Sequence, residues 1–187
     1  PPSSGGTIVC EIMNILSAYP MDKMEPHSAK SVHLMVEAMR RAYVDRNFSL
    51  GDPAFVKNPV DKLLSAKHAA DIRGKIHPEK ATPSAEIRTG EVLHENNETT
   101  HYSVVDKDGN AVSVTYTINN NFGANVIAGD TGFFLNDEMD DFTSKVGAPN
   151  LFGLVQGKNN AIAPGKRPLS SMSPSIVTKD GKIFMVI

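Results

Sequence analysis

Apolar side chains recur every three or four residues in the first third of the chain, the spacing that places them on one face of a helix. Ile8, Ile12 and Ile15 show this spacing, and Pro20 ends it because proline breaks a helix. Arg46 is expected on or near the polar side of the next helix. The pattern predicts three helices: one after a turn at residues 3–6, one from Ser28 to about Phe48, and one that is capped by Asn58, begins at Pro59 and runs toward Ile72.

The helical spacing fades between Gly74 and Asn97. This segment contains Pro78, Pro83, Gly90 and many charged residues, which are typical of a loop or a mobile connector. A structureless connection of this length inside a compact domain is uncommon and is usually functional or disordered. We therefore predict a connector over residues 74–98.

After Glu98 the period changes to two, which is the period of a strand. Tyr102 and Val104 alternate with His101 and Ser103, and Asp–Gly pairs at positions 108–109 and 180–181 indicate tight turns. Helices followed by strands favour an α+β or layered α/β architecture. The predicted strands are one that opens at residues 99–101, its partner 111–118, and a second hairpin of residues 175–178 and 183–187.

Composition and charge exclude several classes of protein. The chain has 187 residues, of which 40% are hydrophobic, and a formal net charge of −2. This charge gives no general attraction to nucleic acid, and no apolar run is long enough to span a membrane. The single cysteine, Cys10, excludes an intrachain disulfide and is expected to be a small core residue. The six histidines show no metal-binding motif, so neither a metal site nor a cofactor is expected.

The ends of the chain suggest a piece of a longer protein. It opens on PPSSGG without a methionine and closes on the apolar run KIFMVI. Natural domain ends are usually polar and exposed. We therefore expect further sequence on both sides.

Three short segments carry candidate chemistry, and each also has an ordinary structural explanation. Thr99 opens a strand, where threonine is common for its β-propensity alone. The acidic run 136–141 fits a solvated turn, although its spacing does not match an EF-hand. The Ser170-Ser171 pair after a proline fits a turn. Alternation within a strand places Thr117 and Asn119 on one face, which would allow both to line one cleft.

Four ordered motifs resemble the γ-glutamyltranspeptidases, and the likeness covers essentially the whole chain. They are PPSSGG at 1–6, TTHYSV at 99–104 continuing through GN, VSVTYTIN and FG to residue 123, NDEMDDF at 136–142, and KRPLSSMSP at 166–174. The resemblance implies an N-terminal-nucleophile hydrolase with a layered αββα sandwich, of which this chain holds an incomplete part. Such a protein cuts itself before the threonine, here between Glu98 and Thr99. Residues 1–98 would then end the large, mainly helical subunit, and 99–187 would begin the small, β-rich catalytic subunit.

The resemblance also assigns roles to individual residues. Thr99 is the expected nucleophile, because a new α-amino group with a pKa of about 8 can accept its hydroxyl proton. Thr117 would orient that hydroxyl. The substrates would be glutathione and other γ-glutamyl compounds, with water, amino acids or peptides as acceptors. The residues implied in substrate binding are Glu138 and Asp141 for the α-amine and Ser170 and Ser171 for the α-carboxylate, with Asn119 assisting at the same substrate.

Two departures and two missing parts qualify this expectation. Other members carry Gln where this chain has Glu138. In the loop 146–157, which corresponds to the family's lid over the glutamyl pocket, many carry Tyr where this chain has Phe152. Without the hydroxyl the lid should close less firmly and shift the balance between hydrolysis and transpeptidation, which the product ratio of Phe152→Tyr in the full-length enzyme tests. The oxyanion-hole glycines and the substrate-binding Arg are expected outside this chain, so Arg167 is not assigned to the substrate. The chain alone is therefore expected to have little or no activity.

Two other functions stay open from the sequence. One is an N-terminal-nucleophile amidase of another specificity, such as an acylase or a poly-γ-glutamate enzyme, although the amine- and carboxylate-binding residues implied above argue against it. The other is an uncleaved fragment that serves only in interactions. The resemblance implies a periplasmic or extracellular location.

Overall fold

The computed structural model describes residues 4–87, 99–150 and 153–187. Helices occupy the first of these ranges and strands the other two. Single 3₁₀ turns lie at Met21–Lys23, Gly129–Thr131, Glu138–Asp141 and Lys158–Asn160. The helices are α1 (Gly5–Leu16), α2 (Ala29–Ser49), α3 (Val60–Leu63), α4 (Ala66–Arg73) and α5 (Ser84–Ile87), and the strands are β1 (Thr100–Val105), β2 (Ala111–Tyr116), β3 (Ile176–Lys179) and β4 (Lys182–Val186).

The core lies where α1 packs against α2 and α4. Ile15, Leu34 and Ala38 form its centre and are almost fully buried. A second cluster contains Ile8 of α1 and Leu169, which lies far along the chain. Full burial of a Leu or Ile side chain contributes about 1.5–3 kcal/mol. The segment around Leu169 is therefore anchored on the helices.

The predicted third helix is wrong in its extent and in its cap. It divides into α3 and α4 because Ser65 starts a new helix, its Oγ accepting the amide hydrogen of His68 at 3.2 Å. Asn58 does not cap α3. Its side chain instead hydrogen-bonds both the amide and the carbonyl of Gly51, at 3.0 and 2.9 Å.

Other expectations about the helices also need correction. Gly5 and Gly6 are the first residues of α1 rather than part of a turn. Cys10 is exposed, so it is not a core residue. Arg46 is 3% exposed and does not lie on the polar side of α2.

Residues 75–87 of the predicted connector are held against α2. Arg41 donates to the carbonyl of Lys75 and to Oγ1 of Thr82, both at 2.9 Å. Glu37, which is 1% exposed, accepts the amide of Thr82 at 3.1 Å and also pairs with Arg41. Burial alone would raise the pKa of Glu37, but the bonds from Thr82 and Arg41 outweigh it and lower the pKa to about 2. This part of the connector is therefore fixed, and residues 88–98 lie outside the described ranges.

The two predicted hairpins are confirmed. β1 pairs antiparallel with β2, and β3 pairs with β4 across an irregularity after Val177. Asp180 and Gly181 both have positive φ, 53° and 74°, as a two-residue type I′ turn requires. β2 ends at Tyr116 rather than at Ile118. Within the described ranges the hairpins are separate two-stranded sheets, so the four-layer arrangement stays a prediction.

Candidate active site

The paired residues of the first hairpin end one position short of Thr99 and Thr117. Thr100 pairs with Tyr116 and His101 with Thr115, so one further step in the same register would set Thr99 opposite Thr117. Directly opposed side chains in such a pair have Cβ atoms about 4.5–5.5 Å apart. The neighbouring pair on the same face is in contact, with Nδ1 of His101 2.8 Å from Oγ1 of Thr115. Thr99 is exposed.

Asn119 reaches Thr117 through a turn and not through strand alternation. The strand has already ended at Tyr116, and Asn119 has a φ of 76°, a conformation that Asn tolerates better than most residues. Its backbone amide donates to Oγ1 of Thr117 at 2.9 Å. Its side-chain amide donates to the carbonyl of Asp137 at 3.3 Å. The prediction that strand alternation places Thr117 and Asn119 on one face is therefore wrong, although the two residues are in contact.

Asp137 connects this turn to the acidic segment. Its carboxylate accepts the backbone amide of Asn120 at 3.0 Å and also the side-chain amide of Asn120. Its own amide donates to the carbonyl of Ile118 at 3.2 Å. The start of the acidic segment is thus fixed against the turn that carries Asn119.

Glu138 and Asp141 form a carboxyl pair within a single 3₁₀ turn. When Glu138 is protonated, it can share that proton with Asp141 in a hydrogen bond. Burial, the charge of Asp141 and this bond raise the pKa of Glu138 to about 7. Burial also raises the pKa of Asp141. A cation that replaced the shared proton would meet two carboxylates at one point.

The buried side-chain amides of Gln156 and Asn160 hold the backbone of Asp141. The backbone carbonyl of Asp141 accepts Nδ2 of Asn160 at 2.7 Å and Nε2 of Gln156 at 3.4 Å. Oδ1 of Asn160 in turn accepts the amide of Leu169 at 3.0 Å. The acidic turn and the segment that carries Ser170 are therefore joined through Asn160.

Arg46 joins the same two segments to the start of α1. Its Nη2 donates to the carbonyl of Leu169 at 2.8 Å, and its Nε donates to Oγ of Ser4 at 2.9 Å. Its positive charge also acts on Asp141. Nothing in the spacing of the sequence identified Arg46 or Asn160, because their partners are distant along the chain.

Ser170 and Ser171 occupy a loop that is fixed from both sides. The carbonyl of Ser170 accepts both the amide and the hydroxyl of Ser4, at 2.8 and 2.9 Å. Oγ of Ser170 accepts the amide of Met172 at 3.1 Å, as in the turn that was the ordinary explanation. Ser171 is exposed.

Arg167 binds Asp52. Its Nη2 and Nε donate to the two carboxylate oxygens at 2.7 and 3.0 Å, and its backbone amide adds a bond of 2.9 Å. These bonds, with Arg167 foremost, hold the pKa of Asp52 well below its usual range. Arg167 therefore fixes the loop that leads to Ser170.

The structure connects the predicted residues but does not place them all around one cavity. Ser170 lines a cavity of about 950 Å³ together with Leu50, Met172 and other residues, and the carboxyl pair is not part of that lining. Glu98 and Phe152 lie outside the described residues. The observed connections run from Thr117 through Asp137 to the acidic turn, and from there through Asn160 to the Ser170 loop.

Comparison with known proteins identifies the family. The family model for γ-glutamyltranspeptidase matches residues 1–187, which is the whole chain. The chain belongs to the γ-glutamyltranspeptidase family. It is 66% identical over 187 residues to the glutathione hydrolase proenzyme of Pseudomonas sp. (strain A14), and 54% identical to that of Escherichia coli (strain K12). All of the chain is covered in both cases, but only 32% of each relative, so it spans about a third of their length.

A solved structure supports the fold of this γ-glutamyltranspeptidase chain. A cephalosporin acylase from Bacillus halodurans matches 100% of the chain and 31% of its own length, with a TM-score of 0.73 at 24% identity. At this identity the likeness shows the fold alone. Across residues 4–87, 99–150 and 153–187, none of the helices combines the length and hydropathy needed to cross a bilayer.

Proposed function

We propose that the complete protein transfers the γ-glutamyl group of glutathione and related amides to water or to an amino acid or peptide. The observation that carries this proposal is the connection of two features. Thr117, which the hairpin register would set opposite Thr99, is joined through Asn119 and Asp137 to the turn that carries Glu138 and Asp141. The proposed nucleophile and the proposed amine-binding site would thus be held on one hydrogen-bonded segment.

Thr99 would act after cleavage of the bond to Glu98. Its freed α-amine accepts the hydroxyl proton, directly or through a water, while Oγ1 attacks the γ-carbonyl carbon. The C–N bond of the γ-amide breaks, the leaving amine takes the proton, and an ester to Thr99 remains. Water or an acceptor amine then attacks that ester and restores the hydroxyl. Thr117, one step beyond the last paired residues of the hairpin, would orient the hydroxyl of Thr99.

The two charged groups of the γ-glutamyl moiety account for the roles proposed for the other residues. Glu138 and Asp141 would hold the α-ammonium, which replaces their shared proton with charge-assisted hydrogen bonds. The hydroxyls of Ser170 and Ser171 and the side-chain amide of Asn119 would hold the α-carboxylate. In this role Glu138 supplies a charge that a Gln would not.

The first hairpin exposes an apolar face that a larger protein would cover. Tyr102 and Tyr116 are 49% and 56% exposed although their rings pack edge to face. Val104 and Val112, on the same face by strand alternation, are also more than half exposed. An apolar patch of this kind usually marks a contact surface. We therefore propose that the rest of the large and small subunits covers it and completes the site, and that this chain alone turns over little substrate.

The proposal is tested by comparing two substitutions on one turn of the full-length protein. Asp141→Asn should lower kcat/KM for γ-glutamyl-p-nitroanilide about 30- to 1000-fold, since a hydrogen bond between charged groups that is lost in a buried site costs about 2–4 kcal/mol. Asp140→Asn, an exposed neighbour, should change it less than about threefold. Equal losses in the two variants would contradict the role of Asp141.

One other specificity has an observation in its favour, namely that the chain is 38% identical over 188 residues to the acylase ACY 1 proenzyme of Pseudomonas sp. (strain SE83). An acylase would not require the α-amine. Glutaryl-p-nitroanilide differs from γ-glutamyl-p-nitroanilide only in lacking that amine, so the ratio of their kcat/KM values decides between the two. We expect the γ-glutamyl compound to react at least 100-fold faster, and comparable rates would favour the acylase.

The location follows from the proposed family role. We propose that the protein is periplasmic or extracellular. Fractionation of the native source, with enzyme activity confined to the cytoplasmic fraction, would contradict this.

A further inference from the structure

Three helices each place one metal-binding side chain at the point where they meet. Glu11 of α1, Asp45 of α2 and His68 of α4 have ligand atoms that all lie within 4.8 Å of one another. Nε2 of His68 is 3.2 Å from Oε1 of Glu11 and 2.9 Å from Oδ2 of Asp45. The residues are 34 and 23 positions apart, as their numbers show, so no sequence motif could have revealed the cluster.

One carboxylate oxygen of the buried residue Glu11 has no hydrogen-bond donor within reach in the described part of the chain. The residue is 0% exposed, and no hydrogen-bond donor in the described part of the chain reaches its Oε2. A buried carboxylate oxygen without a donor is unfavourable, and native structures rarely leave one. The carboxyl group of Glu11, whose other oxygen contacts His68, therefore has capacity for a further partner, either a bound cation or a proton shared with Asp45.

The distances suit a zinc ion. Zinc binds imidazole nitrogen and carboxylate oxygen at about 2.0–2.2 Å, which gives a tetrahedron with edges of about 3.4 Å. The separations of 3.2 and 2.9 Å between His68 and the two carboxylates need to open by only a few tenths of an ångström. Calcium prefers six to eight oxygen ligands, and a site with one imidazole and two carboxylates does not match that preference.

An ion can reach the cluster from solvent. Asp45 and His68 line an open cavity of about 400 Å³, and their side chains are 27% and 17% exposed. Arg41 and Lys75 also line this cavity and would repel a cation. Arg41, however, is neutralised by its ion pair with Glu37. Two carboxylates therefore face the ion at the cluster, and the cavity provides room for water as a fourth ligand.

We propose that Glu11, Asp45 and His68 form a structural zinc site that ties α1, α2 and α4 together. None of these residues belongs to the candidate active site, so this proposal does not depend on the proposed function. The ligands come from three separate helices, and an ion among them would stabilise their packing rather than act on a substrate. The competing occupant is a proton shared between Glu11 and Asp45, which also contact each other.

The test measures zinc binding to the full-length protein after removal of metal with a chelator. Calorimetric titration with ZnCl₂ should show one ion per chain, and the melting temperature should rise by several degrees because the ion binds only the folded state. Glu11→Gln and His68→Gln should each weaken zinc binding more than tenfold. His33→Gln is the matched control, because His33 lies on α2 away from the cluster, with its ring 2.7 Å from the carbonyl of His77.

Glu11→Gln also separates the two occupants. Gln has the shape of a protonated Glu, so this variant should fold as the parent does in the absence of metal, and only its response to zinc should be lost. The proposal is overturned if the parent shows no saturable zinc binding. It is equally overturned if Glu11→Gln and His68→Gln bind zinc as tightly as His33→Gln does.

Discussion

Replacing Glu138 by Gln in the full-length protein examines how the carboxyl pair binds an ammonium group. Burial and the neighbouring Asp141 raise the pKa of Glu138 from 4.5 to about 7, so below pH 7 Glu138 carries a proton that it can share with Asp141. A substrate ammonium must displace this proton. Donor binding should therefore strengthen as pH rises toward 7 and change little above it.

The size of the effect follows from these values. Proton displacement alone would weaken binding up to tenfold for each pH unit below 7, or about 100-fold at pH 5. The carboxyl pair is partly exposed, and solvent screening reduces the expected weakening of donor binding at pH 5 to about tenfold. Glu138→Gln has no such proton to lose but also lacks one negative charge. Its KM should exceed that of the parent about fivefold at pH 8 and equal it near pH 5.

The assay is hydrolysis of γ-glutamyl-p-nitroanilide between pH 5 and 8.5, with KM reported as the ratio of variant to parent. The N-terminal amine of Thr99 and the substrate amine also titrate, but they are common to both proteins and cancel in the ratio. A ratio that stays constant across this range would refute the reasoning about the shared proton.

Two further predictions concern the residues that hold the site in place. Asp52→Asn removes the carboxylate that binds Arg167, so we expect a lower melting temperature and a raised KM for the donor; an unchanged KM would show that the Ser170 loop does not need this support. Glu37→Gln should reduce the free energy of unfolding at pH 7 by about 3 kcal/mol, the value that corresponds to the fall in the pKa of Glu37 from 4.5 to about 2. A lowered pKa contributes its full stabilisation only above the pKa of the unfolded state, so the difference in unfolding free energy between parent and variant should shrink as pH falls below 4.5. Urea unfolding at several pH values measures this difference, and a difference that persists at low pH would contradict the prediction.

The elements that local pattern determines were predictable from the sequence. The hairpin at Asp180-Gly181 follows from the need for two positive φ angles, and α2 follows from its apolar spacing. The break at Ser65 was missed because the apolar spacing continues through it. Asn58 was misassigned because its choice of partner, Gly51 or the helix, depends on how the chain folds back.

The candidate site was predictable only where a motif carried it. Thr99, Glu138 and Ser170 belong to recognisable segments, whereas Arg46 and Asn160 act through partners far along the chain. The cluster of Glu11 with Asp45 and His68 was missed for the same reason, since each ligand lies on a different helix. Long-range packing places such residues, and spacing within the sequence does not record it.

The measurement that bears most directly on the proposed nucleophile is the intact mass of the full-length protein during maturation. We predict two polypeptides, one ending at Glu98 and the other beginning at Thr99, and a single uncleaved polypeptide for Thr99→Ala. A parent protein that is fully active as one uncleaved chain, or that begins its second polypeptide at another residue, would contradict the assignment of Thr99.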